Sequence, residues 1–191
     1  MSDPIAQFRE WFEHAREEGI PFPETMTLAT ASADGAPSAR MVLLKGVDDE
    51  GFVFFTGYES RKGAELAVNP RAALVFYWQP LGRQVRVEGV VERVAGAESD
   101  EYFASRPRGS QLAAWASEQS RPLTSREELE QHYAELEAKH EGREVPRPDR
   151  WGGYRLRPET VEFWQHRDNR LHERIRYTRA REGWVSELLS P

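Results

Sequence analysis

Thr25-Met26-Thr27-Leu28-Ala29-Thr30-Ala31-Ser32, Ser38-Ala39-Arg40-Met41-Val42-Leu43-Leu44-Lys45-Gly46-Val47 and Phe52-Val53-Phe54-Phe55-Thr56 follow one another with short polar breaks between them. The first break carries Asp34-Gly35 and the second is Asp48-Asp49-Glu50-Gly51, both rich in residues that tight turns require. Apolar and β-branched residues dominate the runs, and neither gap can hold a crossover helix. The three runs are predicted strands, each pairing antiparallel with the one before.

Working outward, Asp3 can cap a first helix, Pro4 suits its first position, and Gly19 can end it. Ile5, Phe8, Phe12 and Ala15 share one face of that helix, with Trp11 adjoining. Beyond the strands, Ser60 opens a short helix to about residue 68, and strands at 72–78 and 84–94 are joined through Pro80-Leu81-Gly82. Helices are predicted at 98–105, 110–117 and 126–140, then strands at 154–157, 161–165, 171–179 and 184–188. Hairpin-length joins with few crossovers predict an α+β fold that is mainly antiparallel β, a barrel with helices outside it. Gly-x-Gly-x-x-Gly after a strand and the P-loop pattern are both missing.

The 191 residues suit one sizeable domain, and the polar stretch 141–150 is too short to divide two. A formal net charge of −6 disfavours nonspecific nucleic-acid binding, which runs on a basic surface. Mean hydropathy is −0.73, and no apolar run approaches the roughly 18 residues of a membrane span. Cysteine is absent, so thiol chemistry and cysteine-ligated metals are excluded, and no other metal-ligand spacing occurs. The N-terminus lacks a secretion-signal pattern, and a cytoplasmic location is expected.

Four groups of residues carry possible chemistry. Arg170, His172, Arg174 and Arg176 are spaced two apart, and on a strand they would share one face. Like charges so arranged repel, and a small anionic ligand would relieve the repulsion. Six arginines lie between Trp164 and Arg181, against two acidic residues, Asp168 and Glu173. Ser60-Arg61-Lys62-Gly63 stands at a strand-to-helix junction, where free N–H groups favour an anion; a solvated basic turn is the plainer alternative. Arg40 and Lys45 bracket an apolar strand with opposite parity, so one face cannot hold both unless the strand bends. Tyr102, Arg106 and Ser110 recur every four residues as a possible phosphate clamp, though Pro107 interrupts the helix that would align them.

Taken in order, these pieces resemble the FMN-dependent pyridoxine (pyridoxamine) 5′-phosphate oxidases from about Pro21 to Pro191. The matching stretches are 39–45, 60–62, 83–85, 102–110, 119–120, 151–153, 163–165 and 170–174. The resemblance implies a split β-barrel of Greek-key type spanning 1–191, with an N-terminal helix in 1–20 and dimerisation and substrate strands in 150–191. It implies a homodimer with one FMN at each of two subunit interfaces. Arg40, Met41, Val42, Leu43 and Lys45 would line the flavin, with Phe55 and Thr56 close by. Arg61 and Lys62 would hold its phosphate, and Gln84, Gln119, Ser120, Trp164 and Arg174 would complete the cofactor site, some across the interface. Lys45, Tyr102, Arg106 and Ser110 would bind the substrate phosphate, and Arg170 and His172 would lie over the pyridine ring as the catalytic pair.

The implied reaction passes a hydride from the 4′-carbon of pyridoxine or pyridoxamine phosphate to the flavin. Dioxygen then reoxidises the flavin to give hydrogen peroxide, and the amine substrate also releases ammonia. Three departures from the family pattern stand out: a short N-terminal arm, Phe55 where many relatives have tyrosine, and His166 in place of a common glycine. Two other readings compete. One is a split-barrel flavin enzyme of phenazine or deazaflavin type, which need not keep Lys45, Tyr102, Arg106 and Ser110. The other is a non-catalytic FMN or pyridoxal-phosphate carrier.

Overall fold

The computed structural model describes residues 3–191. Helix α1 (Pro4–Glu17) begins where the Asp3 carboxylate accepts from the Ile5 N–H at 3.0 Å. The first two residues of the expected 1–20 segment lie outside the described residues. Strands β1 (Thr25–Ala31) and β2 (Pro37–Leu43) form the first hairpin, with Ala29 opposite Ala39. Next come β3 (Gly46–Val47), β4 (Phe52–Gly57), α2 (Arg61–Val68), β5 (Arg71–Trp78) and β6 (Arg83–Arg93). Helices α3 (Gly96–Ser105), α4 (Arg108–Ala116) and α5 (Arg126–Lys139) follow, then β7 (Trp151–Gln165), β8 (Glu173–Arg179) and β9 (Trp184–Leu188).

All nine strands join one sheet in the order β2-β1-β5-β6-β7-β4-β3, with β8 on β7 and β9 on β8, and every pairing is antiparallel. β2 and β3 stand at opposite ends of that order, yet only Leu44 and Lys45 separate them in the chain. Such a link spans at most about 11 Å, so the sheet must curl until its two ends meet. The expected single strand at 38–47 is therefore two, one on each edge. The bend between them takes Lys45 out of the alternation of β2 but does not bring it together with Arg40: Lys45 lines the cleft described below and Arg40 does not.

Two further expectations are corrected. The strands predicted at 154–157 and 161–165 are one continuous β7, because the irregularity around Pro158 is absorbed rather than ending the strand. Gly89 pairs with Pro158 and Glu88 with Thr160, which leaves Glu159 as an extra residue. A side chain at Gly89 would come within 2.0 Å of the Arg157 carbonyl oxygen, so the close approach needs glycine. The last hairpin starts at Glu173 rather than 171. Arg170 and His172 thus precede the strand, and the four-residue cationic face is reduced to Arg174 and Arg176.

α1 lays its apolar face against the barrel interior. The Phe8 ring lies 4.8 Å from both Phe52 and Phe76, and Phe8, Phe52, Phe76 and Trp78 are buried together. Truncating a ring so enclosed typically costs about 3–5 kcal/mol. A second cluster of Phe103, Leu112, Ala116, Leu136, Val145 and Trp151 seats α3, α4 and α5 on the outside. Between the barrel and this helical layer a cleft remains. No helix among the described residues is long and apolar enough to cross a membrane.

Candidate functional site

The cleft has a volume of about 390 Å³ and is open at the end where β2, β4, α2, α3 and α4 converge. Its walls include Met41, Val42 and Leu43 from β2, Lys45 from the edge-to-edge link, and Phe55 and Thr56 from β4. Lys62 enters from α2, Tyr102 and Arg106 from the end of α3, and Gln119 from the loop after α4. Ten of the residues singled out in the sequence thus share one concave surface. β2 alternates in exposure, turning Arg40 and Val42 inward and Met41 and Leu43 outward.

One wall is aromatic. Phe55 stacks on Tyr102 with ring centroids 4.0 Å apart and on Trp151 at 5.6 Å, all near parallel. The Arg106 guanidinium lies over the Trp151 ring at 4.6 Å. Pro107 does not scatter the Tyr102–Arg106 pair. α3 ends at Ser105, Arg106 is already extended, and Pro107 caps α4, so the break turns both side chains toward the same aromatic wall. Ser110 falls in the first turn of α4 and does not line the cleft.

Lys62 and Arg106 form no ion pair in this cleft, although Glu59 and Glu118 also line it. Lys62 is 6% exposed, and its ammonium has one hydrogen bond, to Thr56 Oγ1 at 3.2 Å. Burial pushes its pKa down, nearby Arg40 adds to the effect, and Glu65 opposes it. Arg106 has a buried Nη1 with no partner; burial lowers its pKa too, against an opposing contribution from Tyr102. A guanidinium still keeps its charge. Leaving such donors unmet is unfavourable, and an anion with several acceptor oxygens is the group that satisfies them. The residues therefore fit phosphoester ligands. Thr56 Oγ1 in turn donates to Gln119 Oε1 at 2.9 Å, and the Gly57 N–H donates to the same oxygen at 3.1 Å. This orients the Gln119 amide and leaves its NH2 group for a ligand. Ser120, next in the loop, has a φ of 73° and does not line the cleft.

Arg40 and Arg61 are placed differently. Both guanidiniums bond to the carboxylate of Glu65, from Arg40 Nη2 at 3.2 Å and Arg61 Nε at 2.9 Å, and neither lines the cleft. Glu65 went unnoticed in the sequence, where its one signal was the four-residue spacing from Arg61. The glycine at 63 is needed by the protein itself: a Cβ there would meet the Tyr58 carbonyl oxygen at 2.1 Å. Trp151, which builds the aromatic wall, also had no assigned role.

A second cluster lies elsewhere on the sheet. Gln84 pairs across to Trp164, and Trp164 to Arg174. The His172 ring is 4.6 Å from Trp164 and 5.2 Å from His166, and His172 Nδ1 accepts from the Arg167 N–H at 3.2 Å. Asn169 and Arg170 sit in the left-handed region, with φ of 56° and 62°, strain that a functional loop often holds. Arg167 and Glu173 close the base of this loop with bonds of 3.0 and 2.9 Å. The expected anion relief of the arginine row is not required at the strand residues. Arg174 pairs with Glu162 at 2.9 Å, and Arg176 with Glu187 at 2.8 Å.

The two clusters are on the same outer face but far apart. Met41 registers with Thr27, Thr27 with Val75, Val75 with Arg86, and Arg86 with Glu162. Trp151, which walls the cleft, and Trp164 stand near opposite ends of β7. One chain does not bring Gln84, Trp164, Arg170, His172 and Arg174 to the cleft. Between the clusters, Tyr77 is 56% exposed, and at the β2 edge Met41 is 61% exposed.

Comparison with known proteins matches residues 12–140 to the family model described as pyridoxamine 5′-phosphate oxidase. Residues 151–191 match the one described as pyridoxine 5′-phosphate oxidase C-terminal dimerisation region. A pyridoxine/pyridoxamine 5′-phosphate oxidase of Rubrobacter xylanophilus is 61% identical over 189 residues, covering 99% of this chain and 87% of the relative. Among solved structures, PhzG from Burkholderia lata, in complex with tetrahydrophenazine-1-carboxylic acid, superposes with a TM-score of 0.95. It shares 37% identity, and the match covers 100% of this chain and 94% of that one. A pyridoxamine 5′-phosphate oxidase-related, FMN binding protein from Nostoc punctiforme shares the fold with a TM-score of 0.78 at 17% identity, over 100% of both chains.

Proposed function

Because the chain belongs to the pyridoxamine 5′-phosphate oxidase family, we propose that it converts pyridoxine and pyridoxamine 5′-phosphates to pyridoxal 5′-phosphate as an FMN-dependent homodimer. The observation that carries this reading is the pair of cations without an ion-pair partner, buried Lys62 and half-buried Arg106, on separate elements around one aromatic cleft. Two cationic stations suit two phosphoesters, one on the cofactor and one on the substrate.

Bound FMN would supply hydride acceptance from the substrate 4′-carbon and reoxidation by dioxygen, giving peroxide. In this reading Lys62, with Arg61 behind it, holds the flavin phosphate. Met41, Val42, Leu43 and Phe55 give the ring system an apolar bed, and the Gln119 NH2 group and Thr56 hold its polar edge. Lys45, Tyr102, Arg106 and Ser110 take the substrate phosphate. Gln84, Ser120, Trp164 and Arg174 complete the cofactor pocket, with the β6–β8 cluster coming from a second copy. The apolar side chains exposed on the outer sheet face support that pairing, as does the match of 151–191 to a dimerisation region. The second copy would also cover the cleft and exclude water. Its Arg170, held by the stapled loop, sets the pyridine ring in a near-attack geometry. Nδ1 of His172 is engaged by the Arg167 N–H, so Nε2 is the ring atom open to hold or pass a proton.

The likeness to PhzG favours a second reading, oxidation of a tricyclic carboxylic acid. The presence of Lys45, Tyr102, Arg106 and Ser110 supports the phosphate substrate instead. The test is purified protein with pyridoxine 5′-phosphate in air, following pyridoxal 5′-phosphate and peroxide together. Equal yields of both are expected. Turnover of tetrahydrophenazine-1-carboxylic acid with none of the B6 phosphates would transfer the assignment to the second reading. Tight flavin binding without turnover of either would make the protein a carrier.

A further inference from the structure

We infer that Glu65 is the positioning residue of the cofactor-phosphate station, holding the first turn of α2, with Arg61 and Lys62, in place against the first hairpin. The inference rests on the FMN reading above and concerns how this chain builds the station. The Glu65 side chain is 8% exposed and accepts four hydrogen bonds. Oε2 takes Thr30 Oγ1 at 2.5 Å, Ser38 Oγ at 2.6 Å and Arg40 Nη2 at 3.2 Å, and Oε1 takes Arg61 Nε at 2.9 Å. Thr30 lies on β1, Ser38 and Arg40 on β2, and Arg61 and Glu65 on α2. One carboxylate therefore ties the first turn of α2 to the first hairpin, and Lys62 is carried on that same turn.

The donor inventories of the two arginines differ sharply. A guanidinium has five N–H donors. Arg40 Nη1 donates to the Leu28 carbonyl at 3.2 Å and Thr30 Oγ1 at 2.5 Å, and its Nη2 donates to Ser38 Oγ at 2.5 Å and to Glu65. Four of its donors are used, and its side chain is mostly buried. Arg61 gives up Nε alone, and its side chain is 66% exposed, so both Nη groups stay available in the fork geometry that suits a phosphate. Burial would raise the Glu65 pKa, but the bonds from Ser38, Thr30, Arg61 and Arg40 overcome it and bring it down to about 2. The carboxylate is charged throughout the working range.

A negative charge beside a phosphate station ought to weaken phosphate binding by simple Coulomb repulsion. Positioning and repulsion therefore predict opposite signs when the charge is removed. The full-length protein is titrated with FMN and, separately, with riboflavin, which lacks the phosphate, and flavin fluorescence quenching is read. The wild type should prefer FMN. Glu65→Gln should lose about tenfold or more in FMN affinity, as expected for misplacing a charge-assisted contact, with riboflavin affinity changed less than about twofold. FMN binding that is unchanged or tighter in Glu65→Gln overturns the inference, and so does an equal loss for both flavins. Should that variant fail to fold, Ser38→Ala removes one donor to Glu65 and one acceptor from Arg40. A selective FMN loss of about threefold supports the positioning role there, and an unchanged FMN-to-riboflavin ratio overturns it. A wild type with no preference for FMN overturns the parent reading as well, which separates the two failures.

Discussion

Two groups of arginines and lysines in this molecule look alike in the sequence and differ in what the fold does with them. On β8, Arg174 and Arg176 each meet a carboxylate on a neighbouring strand, so the sheet neutralises its own charge. In the cleft, buried Lys62 and half-buried Arg106 have no ion-pair partner, one with a single hydroxyl contact and one with a buried nitrogen that bonds to nothing. A dense run of arginines is therefore a poorer guide to an anion site than two isolated cations at helix junctions. What marks the site is charge the protein has left uncompensated.

Four expected outcomes test this contrast. Arg170→Ala should have the largest effect. Removing a ring-positioning group should lower turnover by about a hundredfold with flavin content unchanged, as checked by steady-state kinetics beside the bound-flavin absorbance. Parallel loss of both would place Arg170 in the cofactor pocket. Lys62→Met deletes one uncompensated cation while keeping its buried stem. FMN affinity should fall by about tenfold to a hundredfold, the worth of one charge-assisted contact. A fully yellow purified variant would contradict the phosphate assignment.

The third outcome concerns acid. Glu65 is shifted down from its ordinary value of 4.5 to about 2 on folding. At a pH between these two values the group binds fewer protons in the folded chain than in the unfolded one. The stability it contributes is therefore complete above pH 4.5 and is lost as pH falls towards 2. The difference in melting temperature between wild type and Glu65→Gln should be constant near neutrality and shrink below pH 4.5. A gap independent of pH would deny the shift. Arg176→Ala is the smallest change. Its pair with Glu187 is half exposed, so stability should move by less than about 1 kcal/mol and flavin affinity not at all. A large loss of flavin would restore the arginine row as a ligand site.

The elements of the fold were legible because their signals are local. Asp3 and Pro4 mark α1, Ser60 marks α2, and alternating apolar runs mark the strands. The edge exchange at Leu44-Lys45 was not legible, since it depends on which distant strands β2 and β3 find as partners. Pro158 suggested a break because proline lacks an N–H; the extra residue Glu159 lets the ladder pass it. Of the site, the cleft members on β2, β4, α2 and α3 were readable as motifs. Glu65 was not, because a glutamate in a short helix reads as solvated until tertiary packing buries it. The shared face expected of Arg170 to Arg176 was not legible for the converse reason: β8 begins only at Glu173, and the carboxylates that meet Arg174 and Arg176 lie on neighbouring strands.

The central claim is that the cleft of one copy is completed by the Arg170 loop of another. It is tested most directly by mixing Lys62→Met and Arg170→Ala proteins after each has been shown inactive alone. If sites are shared, each mixed dimer holds one intact site. Random re-assortment should then restore about a quarter of wild-type activity, since half the dimers are mixed and each has one working site of two. No recovery, with subunit exchange demonstrated, would mean that cleft and loop serve the same chain and would contradict the account.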